Sequence, residues 1–403
     1  MWLRIWCLAA LLAPVLAAAE IDSRKGQIEA DREAKASQLS AEETSRFERI
    51  LLRIREDKIL ERFSAGVAGF RMKLGGLVSG SGFAMGPEYL RRDLAGGRVM
   101  VRGSAVASLK QYQLYDLELG VPKLAGDRLF LDLYAVHRNF PRIDYYGPGP
   151  SSYKTGRSDF RLEDTAYSIK SGVSPIRHME LGGLLGYLQV NVGPGGDPRF
   201  VSSEQIYTPV MAPGLDHQSN FLRGGFFARY DYRDIPGGPR KGGNYLVEWS
   251  QYSDQKLGSY SFQKLDLEAQ QYVPFFNERR VFAFRAKSVL TDAGAGQQVP
   301  FYLQPTLGGS EDLRGFRPFR FYDNNMIALN AEYRWETFSG LDTALFVDSG
   351  KVFHHWSQWN LHSLEVAYGF GLRFNVQNSV FLRVDVGFSH EGFQVWFKFN
   401  NVF

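Results

Sequence analysis

Long stretches of this chain alternate between apolar and polar or small residues, and this period of two restricts the folds open to it. The clearest stretch places its large apolar residues at Leu364, Val366, Tyr368, Phe370, Leu372 and Phe374. The stretches 325–336 and 378–389 repeat the pattern, with charges between the apolar residues. Successive side chains of a strand point to opposite faces, so each stretch has one greasy face and one polar face. The period predicts an all-β protein.

The length of these stretches favours a transmembrane antiparallel β-barrel. The alternative is a soluble all-β protein. Strands of soluble proteins usually have about 5–6 residues, whereas several stretches here run to about ten or more. Small and charged residues on the second face suit a wall with lipid on one side and a polar lumen on the other. The 20 Tyr and 7 Trp, several of them near segment ends, fit interfacial aromatic girdles.

Hydropathy excludes a helical membrane protein, and the charge balance argues against a nucleic-acid-binding protein. After residue 19, no apolar run approaches the roughly 20 residues that a membrane-spanning helix needs. The 47 Lys and Arg residues nearly balance the 43 Asp and Glu residues, which leaves a net charge of only +4. This excess is too small for a basic nucleic-acid surface, so we expect no nucleic-acid partner.

The first residues resemble a secretory signal in their layout. Residues 1–19 contain Arg4, then an apolar run, then small residues before Glu20, which predicts a cleaved signal peptide. Cys7 is the only cysteine of the chain and lies within this peptide. We therefore expect an exported protein whose mature form has no disulfide, no thiol nucleophile and no cysteine-bound metal.

A second segment, residues 20–63, is dense in charge and nearly free of aromatic residues. Ser40 and Glu43 have the spacing of a capping box, and the apolar residues after them recur three to four apart. This periplasmic segment is predicted to hold an amphipathic helix over 40–62. Its role is open between a solvated spacer, a helix that docks on a periplasmic partner and a plug of the lumen.

The remainder, residues 64–403, is predicted to form the barrel. Turn signals divide it into about sixteen strands, an even number as such barrels require. The predicted strands are 66–78, 83–92, 97–108, 112–121, 127–138, 159–173, 178–192, 221–232, 242–253, 260–272, 279–290, 325–336, 341–350, 362–375, 378–389 and 392–403. Short connections around Pro122, Pro175 and Pro274 fall on one rim, and the long stretches 139–158, 193–220 and 291–324 fall on the other. This asymmetry is typical of outer-membrane barrels with periplasmic termini.

The last predicted strand ends the chain with alternating aromatic residues. Phe397 and Phe399 lead to a terminal Phe403. A C-terminal aromatic residue is common in outer-membrane barrels as an assembly signal, so we expect the barrel-assembly machinery to insert this chain. The expected location is the cell outer membrane of a Gram-negative type envelope, with outer-membrane lipid around the barrel.

Two motifs near the end of the chain point to a family. The long loop 291–324 contains Leu313-Arg314-Gly315-Phe316, and the second strand after it contains Phe346-Val347-Asp348-Ser349-Gly350. They resemble the R-G-F/Y loop tip and the F-x-D-x-G strand motif of the bacterial surface antigen superfamily. That superfamily includes BamA-type and TamA-type outer-membrane assembly factors and two-partner secretion transporters. Both motifs fall at the family's ordinal positions, the sixth external loop and the thirteenth strand.

The resemblance implies that the loop folds back into the lumen and that acidic residues of neighbouring strands hold its arginine. Alternation places Glu332 and Asp348 on the lumenal faces of their strands. Arg314 is therefore expected to bridge both carboxylates by charge-assisted hydrogen bonds. Gly315 permits a tight turn, Phe316 packs the tip into the wall, and Gly350 completes the motif of this predicted lumenal lock.

The resemblance implies a function in outer-membrane biogenesis by insertion or translocation of proteins. Full-length assembly factors carry POTRA modules before the barrel, and none fits residues 21–63. A passive pore or structural barrel without assembly activity is therefore the alternative.

No nucleophile elbow, metalloprotease motif or phosphate loop occurs in the sequence, so we expect neither enzyme activity nor a cofactor. His354, His355 and His362 form the only histidine cluster, which we interpret as a solvated external loop rather than a metal site.

Overall fold

The computed structural model describes residues 67–75, 77–126, 128–376, 379–399 and 403. The predicted signal peptide 1–19, the segment 20–63 and its helix 40–62 lie outside the described residues. The described part is an all-β barrel fold built on one antiparallel sheet of sixteen strands, which confirms the predicted fold class. No helix in this part of the chain has the length and apolarity to cross a membrane.

The described residues form eighteen strands, which are numbered in chain order. They are β1 Phe70–Leu74, β2 Ala84–Asp93, β3 Val99–Ser108, β4 Gln113–Leu124, β5 Leu129–Tyr145, β6 Ser158–Val173, β7 Met179–Pro194, β8 Phe221–Asp231, β9 Gly242–Asp254, β10 Phe262–Phe275, β11 Arg280–Asp292, β12 Thr306–Leu307, β13 Phe321–Tyr322, β14 Asn325–Phe338, β15 Leu341–Phe353, β16 Glu365–Val376, β17 Ser379–Ser389 and β18 Gly392–Lys398. Within the same residues, the helical pieces are single turns at Lys154–Gly156, Ser203–Ile206, Phe301–Leu303 and Trp356–Gln358, whereas Leu94–Gly97 is a turn with Ala95 and Gly96 at positive φ.

The large sheet pairs each strand with its neighbours along the chain, and β11 pairs directly with β14. Strands β12 and β13 form a separate two-stranded sheet inside the intervening loop. All sixteen predicted barrel strands exist in the predicted order, because each carries its own alternation and its own turn signals. The small sheet was not predicted, since two-residue strands carry no periodic pattern.

The two faces of the sheet differ as the alternation predicts. Large apolar side chains of the last strands are exposed on the outer face, with Val347 at 50%, Tyr368 at 60% and Phe397 at 66%. Charged side chains on the other face are buried, including Asp385 at 0% and Arg373 at 1%. An exposed apolar belt around a polar interior is the arrangement of a wall that meets lipid.

The two ends of the sheet come together without a described hydrogen-bond ladder between them. Phe399, just after β18, packs edge-on against Phe83, just before β2, with ring centroids 5.7 Å apart. Lys398 Nζ donates to the carbonyl of Leu77 at 3.4 Å. Side chains rather than strand pairing therefore join the ends in the part of the chain that the structure describes.

Several boundaries differ from the predicted ones, most of all at the first strand, where β1 covers only Phe70–Leu74 of the predicted 66–78. Gly69 and Gly75 have positive φ on either side of β1, which ends the extended conformation there. Strand β5 continues to Tyr145, so the first long loop is shorter than 139–158. Pro122 and Pro274 lie inside the ends of β4 and β10 and not in turns, whereas Pro175 does lie in a turn. Proline is tolerated at strand ends and bulges, and the β4–β5 register shifts between Val121 and Leu124.

A further difference is at the end of the chain. Strand β18 ends at Lys398 rather than at residue 403. Phe403 lies apart from the edge of the sheet, in a buried cluster with Tyr272, Val281 and Ala283 of β10 and β11. The alternation of aromatic residues was therefore extended too far, because the terminal residue follows a tertiary contact and not the strand period.

Candidate functional site: the loop held in the lumen

The site is built by the long connection between β11 and β14, called the inner loop here and comprising residues 293–324. Its middle, from Gly308 to Phe316, lies against the polar faces of β14 to β18. The small β12–β13 sheet joins the two arms of the inner loop on either side of this middle part, with Leu307 paired to Phe321. The loop tip is thus presented as a hairpin to the inner wall of the barrel.

Arg314 is the centre of the site and is completely buried. Its Nε and Nη2 donate to the two carboxylate oxygens of Asp348 at 2.8 and 2.7 Å, and its backbone N–H donates to Asp348 at 3.1 Å. Its Nη1 donates to Glu332 Oε1. These are the two carboxylates that the sequence placed opposite Arg314, and Asp348 binds the guanidinium in the bidentate fork geometry.

Electrostatics keep Arg314 charged in this dry position. Burial alone lowers the pKa of its guanidinium, but the charges of Asp348 and Glu332 outweigh burial and hold that pKa well above its ordinary value. The guanidinium carbon also lies 3.5 Å from the centre of the Phe346 ring. A desolvated cation over an aromatic face gains about 2 kcal/mol or more, which adds to the ion pairs.

A wider network of buried charges surrounds this centre. Glu332 also accepts from Arg334 Nε at 2.6 Å and from Arg373 Nη2 at 3.1 Å. Arg373 Nη1 donates to Asp385 at 2.5 Å, and Asp385 Oδ2 lies 3.9 Å from Arg314 Nη1. Shared carboxylates of this kind couple the loop to β14, β16 and β17, so one altered member leaves several buried charges uncompensated.

Two glycines allow the backbone of the loop tip to reach the wall. A Cβ on Gly387 of β17 would lie 2.4 Å from the carbonyl oxygen of Arg314. A Cβ on Gly315 would lie 2.5 Å from the carbonyl oxygen of Phe388. Contacts under 3 Å do not occur for real side chains, so the close approach of the two backbones requires glycine at both positions.

The backbone of the tip is also hydrogen-bonded to the wall. Trp396 Nε1 of β18 donates to the carbonyl of Arg314 at 2.7 Å. Ser389 Oγ donates to the carbonyl of Gly315 at 2.8 Å. The last hairpin therefore satisfies two carbonyls that would otherwise be buried without partners.

Apolar packing fixes the residues beside the tip. Phe316 is fully buried in a cluster with Leu313, Leu307 and Phe321. Gly350 of β15 lies beside Leu307, whose side chain would be 3.1 Å from a Cβ at that position. Burial of a phenylalanine side chain contributes roughly 1.5–3 kcal/mol, so the apolar cluster is comparable with the ion pairs as an anchor.

Further anchors hold both arms of the inner loop. On the first arm, Ser310 Oγ lies 2.8 Å from Ser79 Oγ of the β1–β2 connection. Arg383 Nη2 of β17 donates to the carbonyl of Ser310 at 3.1 Å. Arg285 of β11 and Asn330 of β14 both contact Asp312, at 3.1 Å to its carboxylate and 2.7 Å to its carbonyl respectively.

The second arm is anchored by Arg320, which is 3% exposed. Its guanidinium donates to Ser152 Oγ and to the Ser152 carbonyl, at 2.9 and 2.6 Å, and to Glu391 Oε1 at 2.8 Å. Ser152 belongs to the β5–β6 connection and Glu391 to the β17–β18 turn. The inner loop is thus tied to connections from both halves of the sheet.

Several of these residues could not be singled out from the sequence. Asp385, Arg373, Arg383 and Trp396 share the lumenal face with Glu332, which alternation does show, but alternation does not show which of them meet the loop. Gly387 carried a weak signal as a small residue between Val386 and Phe388. Arg320 carried none, because its partners Ser152 and Glu391 are far away in sequence.

The remaining predicted residues lie elsewhere. Phe397 is exposed on the outer face, Phe399 packs at the meeting of the sheet ends, and Phe403 is buried. His354 pairs with Asp323 at 3.0 Å and packs against His355, while the carbonyl of His362 accepts from Lys351. Among the described residues, no three His, Cys, Asp or Glu side chains are grouped so that they could hold a metal ion.

A sixteen-stranded sheet with an apolar outer belt, paired charges inside and a long loop bound to the inner wall defines a β-barrel whose interior holds one of its own loops. The Omp85 superfamily domain matches residues 100–391, more than half of the chain. The chain therefore belongs to the Omp85 superfamily, which confirms the family resemblance seen in the sequence.

Solved structures agree with this fold. The crystal structure of BamA from Haemophilus ducreyi lacking POTRA domains 1–3 matches with a TM-score of 0.61 at 15% identity, covering 83% of this chain and 70% of that one. CdiB from Escherichia coli matches with a TM-score of 0.55 at 13% identity, covering 82% of this chain and 62% of that one. At these identities the likeness concerns the fold. A search of curated proteins found no match.

Proposed function

We propose that this chain is an integral protein of the outer membrane that acts in outer-membrane biogenesis by inserting or translocating other proteins. The observation that carries the proposal is the Arg314 site in a barrel of the Omp85 superfamily. The site organises a loop inside the lumen and presents no nucleophile or cofactor arrangement, so the proposed action is physical, without enzyme activity. Assembly factors and secretion transporters are the classes that the superfamily resemblance suggests.

The proposed mechanism uses the two ends of the sheet. Strand β1 has five residues and β18 has seven, against ten or more in the other barrel strands. Gly69, next to β1, adds an unfavourable residue for strand stability. A short and weakly paired junction opens at lower cost than a long ladder, and it would give a client strand access to unpaired backbone groups. The inner loop stays bound to β14–β18 meanwhile.

Three partners are part of the proposal. Outer-membrane lipid contacts the exposed apolar belt. The barrel-assembly machinery inserts the chain itself and reads the C-terminal signal of Phe397, Phe399 and Phe403. A periplasmic partner binds the predicted helix 40–62 and takes over the function that POTRA modules have in assembly factors.

A passive pore is the second candidate, and one observation favours it. A cavity of about 1090 Å³ opens at the end of the barrel that carries the short turns. Its charged lining consists of Arg128, Arg177, Glu180, Arg229, Asp231 and Arg233. A cavity of that size with a charged lining holds many water molecules, which is the environment that the entrance of an ion-conducting pore needs.

Planar-bilayer conductance tests the occupied lumen. Arg314→Ala leaves Asp348 as a buried carboxylate without its cation and removes one of the three guanidiniums around Glu332. We therefore expect the inner loop to leave the wall and a low, flickering conductance to become large. Arg199→Ala is the matched control, since Arg199 lies in another long loop and is exposed. Heat-modifiable gel mobility shows that each variant is folded. A steady, large conductance that is equal in the wild type and Arg314→Ala would contradict the lock.

Assembly activity needs a separate measurement. Vesicles that contain the refolded protein are mixed with an unfolded outer-membrane barrel, and the folding rate of that client is compared with the rate in empty vesicles. We expect faster folding with the protein present. Equal rates in the two kinds of vesicle, combined with measurable conductance, would reject the assembly role and leave the passive pore.

A further inference from the structure

A groove crosses the outer face of the wall, over strands β9, β10, β11, β14 and β15. It has a volume of about 410 Å³ and an almost entirely apolar lining. Small side chains at Ala269, Ala286 and Ala331 leave the depression, and the larger Phe284 and Val347 stand beside them. Small-molecule sites usually have about 300–1,000 Å³, so this outer groove has room for a ligand.

The connection between β15 and β16, residues 354–364 and called the outer loop here, lies against the outer face at the external end. Trp356 Nε1 donates to the carbonyl of Thr291 at 2.9 Å. In the same part of the outer face, Leu290 and Ile327 are buried in one apolar cluster. The outer loop is therefore fixed to the wall and does not project freely into solvent.

A buried lysine without an anionic partner lies between the outer groove and the outer loop. Lys351 is 9% exposed and shares a face of β15 with Val347 and Ser349, which both line the groove. Its Nζ donates to Asn360 Oδ1 at 2.6 Å and to the carbonyl of His362 at 3.3 Å. Both acceptors are neutral, and no carboxylate in the described part of the chain forms an ion pair with Lys351.

This lysine adjoins the groove. Alternate residues of a strand share a face and lie about 7 Å apart, so Lys351 is the next outward position after the groove residue Ser349. Lysine is almost never buried without a charged partner, because the desolvation of its ammonium is then uncompensated. An anion that also carries an apolar chain would compensate the lysine and fill the groove together.

The outer loop adds exposed aromatic surface above the lysine. Trp356 and Trp359 are each 51% exposed, and Leu361 is 57% exposed. Indole rings are enriched at the level of lipid headgroups, where one side of the ring is apolar and the other is wet. Their flat faces also stack well on sugar rings, so the loop suits a headgroup built of sugars.

We propose that the outer groove, Lys351 and the outer loop form a binding site for a phosphorylated glycolipid of the outer leaflet, with the chemistry of lipid A. The groove takes an acyl chain, the Lys351 ammonium pairs with a phosphate, and the indoles of Trp356 and Trp359 face the sugars. The external end of the site selects the outer leaflet. The proposal rests on the proposed membrane location and not on the assembly role.

Native mass spectrometry of the refolded protein in detergent, titrated with lipid A, measures this binding. Lys351→Met keeps an unbranched side chain and removes the charge, so we expect it to bind lipid A at least about tenfold more weakly than the wild type does. Lys256→Met is the matched control, since Lys256 is an exposed lysine of the β9–β10 connection. It should bind as the wild type does. Equal affinities of Lys351→Met and Lys256→Met would overturn the proposal.

The groove is tested separately from the charge. Ala286→Phe fills the outer groove with an apolar ring and leaves Lys351 in place, so we expect a loss of lipid A affinity of at least about tenfold. Ala228→Phe is its control, because Ala228 lies on the outer face of β8 between the exposed Phe226 and Tyr230, away from the groove. Equal binding by the two variants would show that the groove does not hold the acyl chain.

A comparison of lipids on the unaltered protein keeps the proposal testable if Lys351→Met fails to fold, which heat-modifiable gel mobility reports. We expect lipid A to bind at least about tenfold more tightly than dephosphorylated lipid A or phosphatidylglycerol. Equal affinity for the dephosphorylated form would remove the phosphate contact, and equal affinity for phosphatidylglycerol would reject the glycolipid. These measurements involve neither a client protein nor conductance, so their failure is distinct from failure of the assembly role.

Discussion

At the scale of single residues, Arg314 does what no other side chain could do in its place. Its planar guanidinium donates to Asp348 and Glu332 at once and lies flat on Phe346. A lysine has no planar fork and a compact, strongly hydrated charge, so it could not satisfy both carboxylates and the ring together. The strength of the site lies in this shared geometry and in the exclusion of water.

The close backbone contact at Gly387 leads to a prediction at the same scale. In Gly387→Ala the new methyl group would lie 2.4 Å from the Arg314 carbonyl, so the loop tip must move off the wall. We expect a conductance increase like that of Arg314→Ala, although every charged group is kept.

Gly224→Ala is the matched control for this prediction. The nearest atom to a Cβ on Gly224 is Leu185 Cδ2 at 3.7 Å, an ordinary contact. The control should conduct as the wild type does. If Gly387→Ala also retains wild-type conductance, the loop tip does not rest on β17 as described.

At the scale of elements, the inner loop is joined to parts of the sheet that are distant in sequence. Ser310 contacts Ser79 in the β1–β2 connection, and Arg320 contacts the β5–β6 connection and the β17–β18 turn. Ordering the inner loop costs conformational entropy. Because all of these contacts are made by the same ordered segment, that entropy is lost once and not once for each contact. The inner loop therefore links connections of the sheet that are far apart in sequence.

The Ser79–Ser310 contact permits a covalent test of that arrangement. The two hydroxyl oxygens are 2.8 Å apart, so cysteines at both positions are close enough to form a disulfide with little movement. The chain from Glu20 onward contains no cysteine of its own. We expect Ser79→Cys/Ser310→Cys to oxidise readily, with a reductant-sensitive gel shift.

The same variant carries a functional expectation. The cross-link should abolish the flickering of the conductance, and reductant should restore it, because the first arm of the loop is then released. Ser79→Cys alone should respond to neither treatment. Failure to form the bond under oxidising conditions would mean that the inner loop and the β1–β2 connection do not meet in the membrane.

At the scale of the whole molecule, the barrel combines three environments. The outer belt is apolar, the interior carries paired charges, and the long-loop end holds a large aromatic cluster around Tyr145, Phe160 and Phe301. These rings meet edge to face at centroid distances of 4.8 to 5.2 Å, which is a favourable geometry. The long loops are thus packed on one another and do not project singly.

The apolar belt gives the prediction at this scale. Val347 is at the middle of β15 and is 50% exposed. An arginine on the lipid face near the bilayer midplane costs about 2–4 kcal/mol. We expect Val347→Arg to lose that much unfolding free energy in vesicles, measured by urea titration of tryptophan fluorescence.

Val347→Leu is the control, since it keeps an apolar side chain in lipid and should remain close to the wild type. A Val347→Arg protein as stable as the control would mean that this face of β15 does not contact lipid.

The sequence alone determined the strands, their order and their faces. Alternation is a local property, because successive side chains of a barrel strand face lipid and lumen in turn. Every second residue is therefore apolar, and the pattern can be read within each strand. For the same reason Glu332 and Asp348 could be placed inside the barrel, and family resemblance then supplied Arg314 as their partner.

Only the tertiary structure decided which groups meet across the lumen. Arg320 with Ser152, Ser310 with Ser79, and Phe403 with Tyr272 are contacts between segments far apart in the chain. No periodic pattern encodes them, because they depend on how the inner loop and the end of the chain fill the space inside the wall. The sequence therefore determined the strands of the barrel wall, whereas tertiary packing determined which residues of the inner loop and of the end of the chain contact that wall.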